Sequence, residues 1–159
     1  MFLYDVVMRV IYATILCLLF SGFAYAGEPA KYREKHMNPA VYFEIPVSDL
    51  DRATKFYSAV FGFTFERQNI HGNEMAMFPF SQNGSGITGA LVKGEIYKPT
   101  QSGVVIYFHT ENIDATLERA VKNGAKILFP KTSAGDFGVV AEFSDSEGNR
   151  IALNELVHL

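Results

Sequence analysis

"VYFEIPVSDLDRATKFYSAVFGFTF" occupies residues 41–65. It opens with an extended run in which Phe43, Ile45 and Val47 alternate with Tyr42, Glu44 and Pro46. That period of two is a strand signature. Ser48 and Asp49 follow, and either can cap a helix by accepting a bond from a free backbone N–H. Leu50, Ala53, Phe56, Tyr57 and Val60 then recur at helical spacing. Gly62 supplies a residue for which a left-handed helix end costs little. The stretch reads as strand, capped helix, second strand.

The same unit returns later in the chain. "VVIYFHTENIDAT" at 104–116 matches "VYFEIPVSDLDRA" at 41–53 in its strand, its polar cap and its aliphatic-Asp pair. Asn112 is the cap, Ile113, Leu117, Ala120 and Val121 are the apolar stripe, and Gly124 ends the helix. Three extended segments follow each helix. They are "TFERQNI" (64–70), "EMAMFPF" (74–80) and "ITGALVK" (87–93), then "KILFPK" (126–131), "FGVVAEF" (137–143) and "RIALNEL" (150–156). "QNGSG" (82–86) and "DSEGN" (145–149) carry turn chemistry between the last two strands of each half. Each half is β-α-β-β-β, and one copy cannot bury its sheet face alone. The predicted class is α+β, with paired modules at about 40–95 and 101–157 forming a cupped mixed sheet.

With "PVSDLDRATKFYSAVFGF", "GALVKG", "NIDATLERAVKNGAKIL" and "DFGVVAEFSDSEGNRIAL" in this order, residues 40–157 resemble the vicinal oxygen chelate superfamily. That group includes glyoxalase I, bleomycin-resistance proteins, fosfomycin-resistance enzymes and extradiol dioxygenases. The chain is most similar to its small bacterial glyoxalase-like members. In metal-using members the resemblance implies four ligands, mostly His and Glu, one from each of four strands. Those positions fall here at Tyr42, Ala90, Val105 and Ala152. Alanine and valine have no donor atoms, and a divalent site needs several N or O donors converging at about 2–2.5 Å. The expectation is therefore no metal and no cofactor.

Strand alternation gives the other residues facing the cup: Glu44, Thr88, Val92, Tyr107, His109, Arg150 and Asn154. The opposite face carries Phe43, Ile45, Ile106, Phe108, Ile151 and Leu153, all apolar and expected to pack under the helices. Tyr42, Glu44, Ala90, Val105, Tyr107, His109, Arg150, Ala152 and Asn154 are thus the candidate ligand-binding set. A cup of tyrosines and small apolar walls suits a small organic molecule. Glu44 is either a candidate general base or a buried carboxylate tied to Arg150 or Tyr107, because an unpaired carboxylate on an apolar strand is costly. Met75 and Met77 are core or pocket lining, and "KTSAGDFG" (131–138) is a candidate loop over the cup mouth.

Three readings follow: a metal-free binding module, a glyoxalase-like lyase or isomerase using Glu44 as base, and an interaction protein whose cup is filled by its own side chains. Isolated sheet edges favour pairing, and the resemblance implies dimers at this length, so a homodimer is expected. The net charge of −3, from 14 Lys and Arg against 17 Asp and Glu, argues against a nucleic-acid partner.

The first 26 residues are of another kind. Arg9 precedes the apolar run "VIYATILCLLF" (10–20), and Ala24 and Ala26 form an A-x-A arrangement before Gly27. This is the pattern of a secretory signal peptide. The alternative, an uncleaved membrane anchor, wants an apolar core of about 20 residues. Residues 27–39 read as a polar linker, and the one cysteine, Cys17, lies inside the leader. The expected mature protein is periplasmic or secreted and has no thiol. Mass measurement of protein extracted from the native host is expected to give an N-terminus at Gly27; a chain beginning at Met1 or Met8 would count against cleavage.

Overall fold

The computed structural model describes residues 40–82 and 86–156. The expected leader and linker, His36, His158 and the middle of the 82–86 turn lie outside the described residues. The first half runs β1 (Tyr42–Pro46), α1 (Leu50–Phe61), β2 (Glu66–Ile70), β3 (Asn73–Met77) and β4 (Thr88–Lys93). The second runs β5 (Ile106–His109), α2 (Ile113–Lys122), β6 (Lys126–Ser133), β7 (Val139–Ser144) and β8 (Arg150–Glu155), with a short 3-10 turn at Gly135–Phe137. Each half builds a four-stranded mixed sheet, ordered β1-β4-β3-β2 and β5-β8-β7-β6. The first strand of each half pairs in parallel with the last, and the other pairings are antiparallel. The fold is α+β, as the repeat predicts.

The helix caps are those that the side chains allow. Asp49 takes the N-cap of α1 and accepts from the N–H groups of Asp51 and Arg52; Asn112 does the same for Ala115 in α2. Gly62 closes α1 in the left-handed conformation at φ 75°, where a β-carbon would be strained. Gly89 is needed for a different reason. A side chain there would collide with the carbonyl and ring of Phe43, so the β1–β4 pair closes tightly only around glycine.

The apolar strand faces pack on the helices. Ile45, Leu91, Ala141, Phe143, Ile151 and Leu153 are buried in one cluster with Leu50, Phe56 and Tyr57 of α1 and Ile113, Leu117 and Ala120 of α2. Aromatic rings knit the halves together within this cluster. Phe108 of β5 lies 6.0 Å from Phe43, 5.8 Å from Phe78 and 5.0 Å from Phe61, all of the first half. Such pairs add about 0.5–1.5 kcal/mol each beyond the area they bury.

A polar latch joins the halves as well. The 145–149 turn reaches across to the start of α1. Buried Asp145 accepts from the Tyr57 hydroxyl at 2.9 Å and from the Glu147 and Asn149 N–H groups. Asn149 donates to the Pro46 carbonyl and accepts from the Thr100 N–H. Glu147 accepts from the N–H groups of Ser48 and Asp49 and takes Arg52 in a two-pronged pair at 2.8 and 2.7 Å. Its carboxylate thus sits at a helix N-terminus, where negative charge is favoured.

The two acids titrate in opposite directions. Burial pushes Asp145 above its ordinary carboxylate value, against the hydrogen bonds from Asn149 and Tyr57 that pull it down. Burial also acts upward on Glu147, but bonds from Arg52 and from the backbone of Asp49 and Ser48 outweigh it and hold the group low. A carboxyl lowered in the fold contributes stability above its unfolded value and loses it as pH falls through the folded value. Glu147→Gln keeps the shape and removes the charge. Arg52 is half exposed, so the loss is expected to be about 1–2 kcal/mol near neutral pH rather than the full cost of a broken buried pair. The difference from wild type should shrink as pH falls below the ordinary value of 4.5. Urea unfolding across that pH range checks it; a difference that stays constant with pH would show that the charge is not what matters.

Candidate functional site

The open face of the two sheets, opposite the helices, carries the residues that alternation assigns to it. Tyr42 is 41% exposed, whereas Ala90 and Ala152 have no exposed surface. In register, Glu44 stands opposite Ala90 and Tyr107 opposite Ala152. Val105 lies just before β5 and lines the cavity described below. The donor chemistry of these positions does not fit a divalent ion: two alanines and a valine offer no ligand. Among the described residues no three His, Cys, Asp or Glu groups converge.

The floor of the first half is covered from within. Met75, Ala90 and Val92 form a buried cluster, with Met77 and Tyr97 packed against it. Met75 and Met77 share this face because they pair with Val92 and Ala90. Tyr97 comes from the connection between the halves and donates its hydroxyl to Glu44 Oε2 at 2.7 Å. The hydrogen bond to Glu44, with some burial, raises the Tyr97 phenol above its ordinary value. Burial and then the Glu44 charge raise Tyr42 in the same way. Both phenols keep their protons at neutral pH. Glu44 is therefore neither buried nor tied to Arg150 or Tyr107. Glu44 is exposed and its partner is Tyr97, because the connection folds back over β1 and β4.

The second half is built differently. Arg150 makes a two-pronged pair with Glu142, 2.6 and 2.8 Å from Nε and Nη2. Register places Glu142 beside Ala152 on β7, so a carboxylate and a guanidinium flank that position. The rings of Tyr107 and Phe137 meet nearly at right angles, with centroids 5.9 Å apart. Asn154, nearly buried, donates to the Phe137 carbonyl at 2.7 Å and fixes that turn. Gly138 sits at φ 94°, and a side chain there would collide with the Glu155 carbonyl. The 131–138 segment is not a loop throughout: Lys131–Ser133 extend β6, and Phe137 alone is seen to meet the open face, through Tyr107 and Asn154. His109 is exposed beside it.

Between the halves runs a seam. Among the described residues β1 and β5 each pair on one side only, and those edges border a cavity of about 480 Å³. Its lining includes Phe43, Ile87, Val105, Tyr107, Phe108 and His109. The cavity thus gathers Val105, Tyr107 and His109 from the candidate set. It does not include Tyr42, Glu44, Ala90, Arg150, Ala152 or Asn154, which lie on the sheet floors to either side. Two residues of this face escape sequence reasoning: Tyr97 and Glu142. Alternation along "FGVVAEF" could have placed Glu142 on the floor opposite Arg150. Nothing local marks Tyr97, which reaches the floor through loop geometry; Phe137 belongs to the 131–138 segment singled out above.

Comparison with known proteins agrees with this architecture. Residues 39–153 match the family described as Glyoxalase/Bleomycin resistance protein/Dioxygenase superfamily. A glyoxylase-like domain-containing protein of Didymella fabae is 34% identical over 113 residues, 69% of this chain and 88% of the relative. A putative glyoxylase, CFP32, of Mycobacterium bovis is 21% identical, and this chain spans 47% of its length. Among solved structures, a glyoxalase/bleomycin resistance protein from Streptomyces sp. CB03234 is 30% identical with a TM-score of 0.56, covering 72% of this chain and 98% of that one. TnmS3, an antibiotic binding protein from the same organism, is 25% identical with a TM-score of 0.54, covering 77% and 98%. Its paired βαβββ halves and the match over 39–153 together show that the chain belongs to the Glyoxalase/Bleomycin resistance protein/Dioxygenase superfamily.

Proposed function

We propose that the chain is a metal-free binding module that takes a small, flat, partly apolar organic molecule in the seam between its halves. The observation that carries this reading is the seam cavity itself. It is of ligand size, it is lined by Tyr107, Phe43 and Phe108, and the edges of β1 and β5 that pair with no other described strand border it. Backbone groups on those edges can bond the polar rim of a ligand while the rings hold its body. The absence of donors at Ala90, Val105 and Ala152 supports binding without a metal. Similarity to an antibiotic binding protein supports the same class of activity. The leader expected at 1–26 supports a periplasmic or secreted module, and its open sheet edges suit a homodimer.

A second reading is a glyoxalase-like lyase or isomerase with Glu44 as base. The exposed carboxylate beside the Tyr97 hydroxyl favours it, since a base must reach its proton. Fluorescence titration with a panel of aromatic antibiotics, beside elemental analysis of the purified protein, separates the two. Binding by metal-free protein is expected, and Tyr107→Ala should weaken it roughly tenfold, the value of about 1.4 kcal/mol of ring contact. Glu44→Gln should leave that affinity unchanged. A stoichiometric divalent ion would overturn the metal-free reading, and turnover of a hemithioacetal that Glu44→Gln abolishes would replace it with the second. Light scattering is expected to show a dimer at micromolar concentration.

A further inference from the structure

The two halves repeat one another in sequence and strand order, yet their floors are not equivalent. In the second half the open face holds an ion pair and an exposed tyrosine. In the first half it holds an apolar cluster, and that cluster already has something lying on it. Tyr97 packs on Met75, Ala90 and Val92 and ties its hydroxyl to Glu44. The backbone is shaped to put it there. Its N–H bonds the Gly94 carbonyl in a turn directly after β4, and a side chain at Gly94 would collide with Asn73 and press on the Tyr97 ring. A few residues on, Thr100 is held at both its N–H and its carbonyl, by Asn149 and Arg150. The connection is therefore pinned on either side of the tyrosine. An aromatic ring over small apolar residues, with its one polar group satisfied, is how a bound phenol would sit.

We propose that Tyr97 is a built-in occupant of the first half of the open face and the residue that sets ligand size. It confines a flat aromatic ligand to the seam and the second half. The inference rests on the ligand class argued above but concerns a different set of residues. Removing the ring exposes Ala90, Val92, Met75 and Met77 as a second apolar floor, continuous across β3 and β4.

The probe is 1-anilinonaphthalene-8-sulfonate, read by fluorescence on the full chain. Tyr97→Ala is expected to raise bound-probe fluorescence several-fold over wild type, while near-UV circular dichroism and cooperative thermal unfolding are retained. Adding Ala90→Leu to that variant refills the floor and should return the signal towards wild type. A loosened core would bind the probe whether or not residue 90 was enlarged, so a gain that survives Ala90→Leu overturns the proposal. An unchanged signal in Tyr97→Ala overturns it too. Tyr107→Ala separates this outcome from failure of the seam reading. If the seam binds the probe, Tyr107→Ala lowers the wild-type signal and leaves the gain from Tyr97→Ala intact.

Discussion

The carboxylate of Asp145 is buried where the two halves meet. Charge there is costly unless each oxygen is engaged, and four hydrogen bonds engage them: Tyr57, the N–H groups of Glu147 and Asn149, and the Asn149 side chain. Asp145 and Asn149 therefore shape the 145–149 turn and dock it in the same act. The docked turn delivers Glu147 to the N-terminus of α1 and Asn149 to the end of β1. The relative placement of the halves, and with it the seam, depends on this contact. Its polar partners must meet in defined geometry, which apolar packing alone does not demand.

Around the latch, aromatic rings from both halves pack together beside the two helices. Phe108 inserts among rings of the first half, which brings the free edges of β1 and β5 alongside each other without joining them into one sheet. Unpaired strand edges are ordinarily a liability. Here they border a cavity, so the same feature that a stable sheet would eliminate becomes the wall of a candidate binding site.

The open face shows how a duplicated unit diverges. Equivalent floor positions, Ala90 and Ala152, are both alanine, but their neighbours differ. Methionines and Tyr97 surround the first; Glu142, Arg150 and Tyr107 surround the second. A small residue on a sheet floor leaves space, and that space is filled either by another part of the chain or by something else. The first half is filled from the connection between halves. In the second, Ala152 is likewise covered, while Phe137, 55% exposed, lies against Tyr107 at the rim.

Much of this was legible in the residues. Period-two strands, helical stripes, Asp49 and Asn112 as caps and Gly62 as a terminator specify local structure through contacts a few residues apart. The same alternation sorted the open face from the core face, and placed donor-free residues where the resemblance implies metal ligands. What it could not decide was who meets whom across the chain. Glu44 was readable as an open-face carboxylate, but its partner Tyr97 is 53 residues away, and the competing partner Arg150 is taken by Glu142. Tyr57 reads as one more apolar helix position, yet its hydroxyl answers Asp145 across 88 residues. Strand and helix follow from the periodicity of side chains along the backbone, which is local. Pairing, docking and the shape of a cavity follow from where separate segments are brought together, and only the packed tertiary structure contains that.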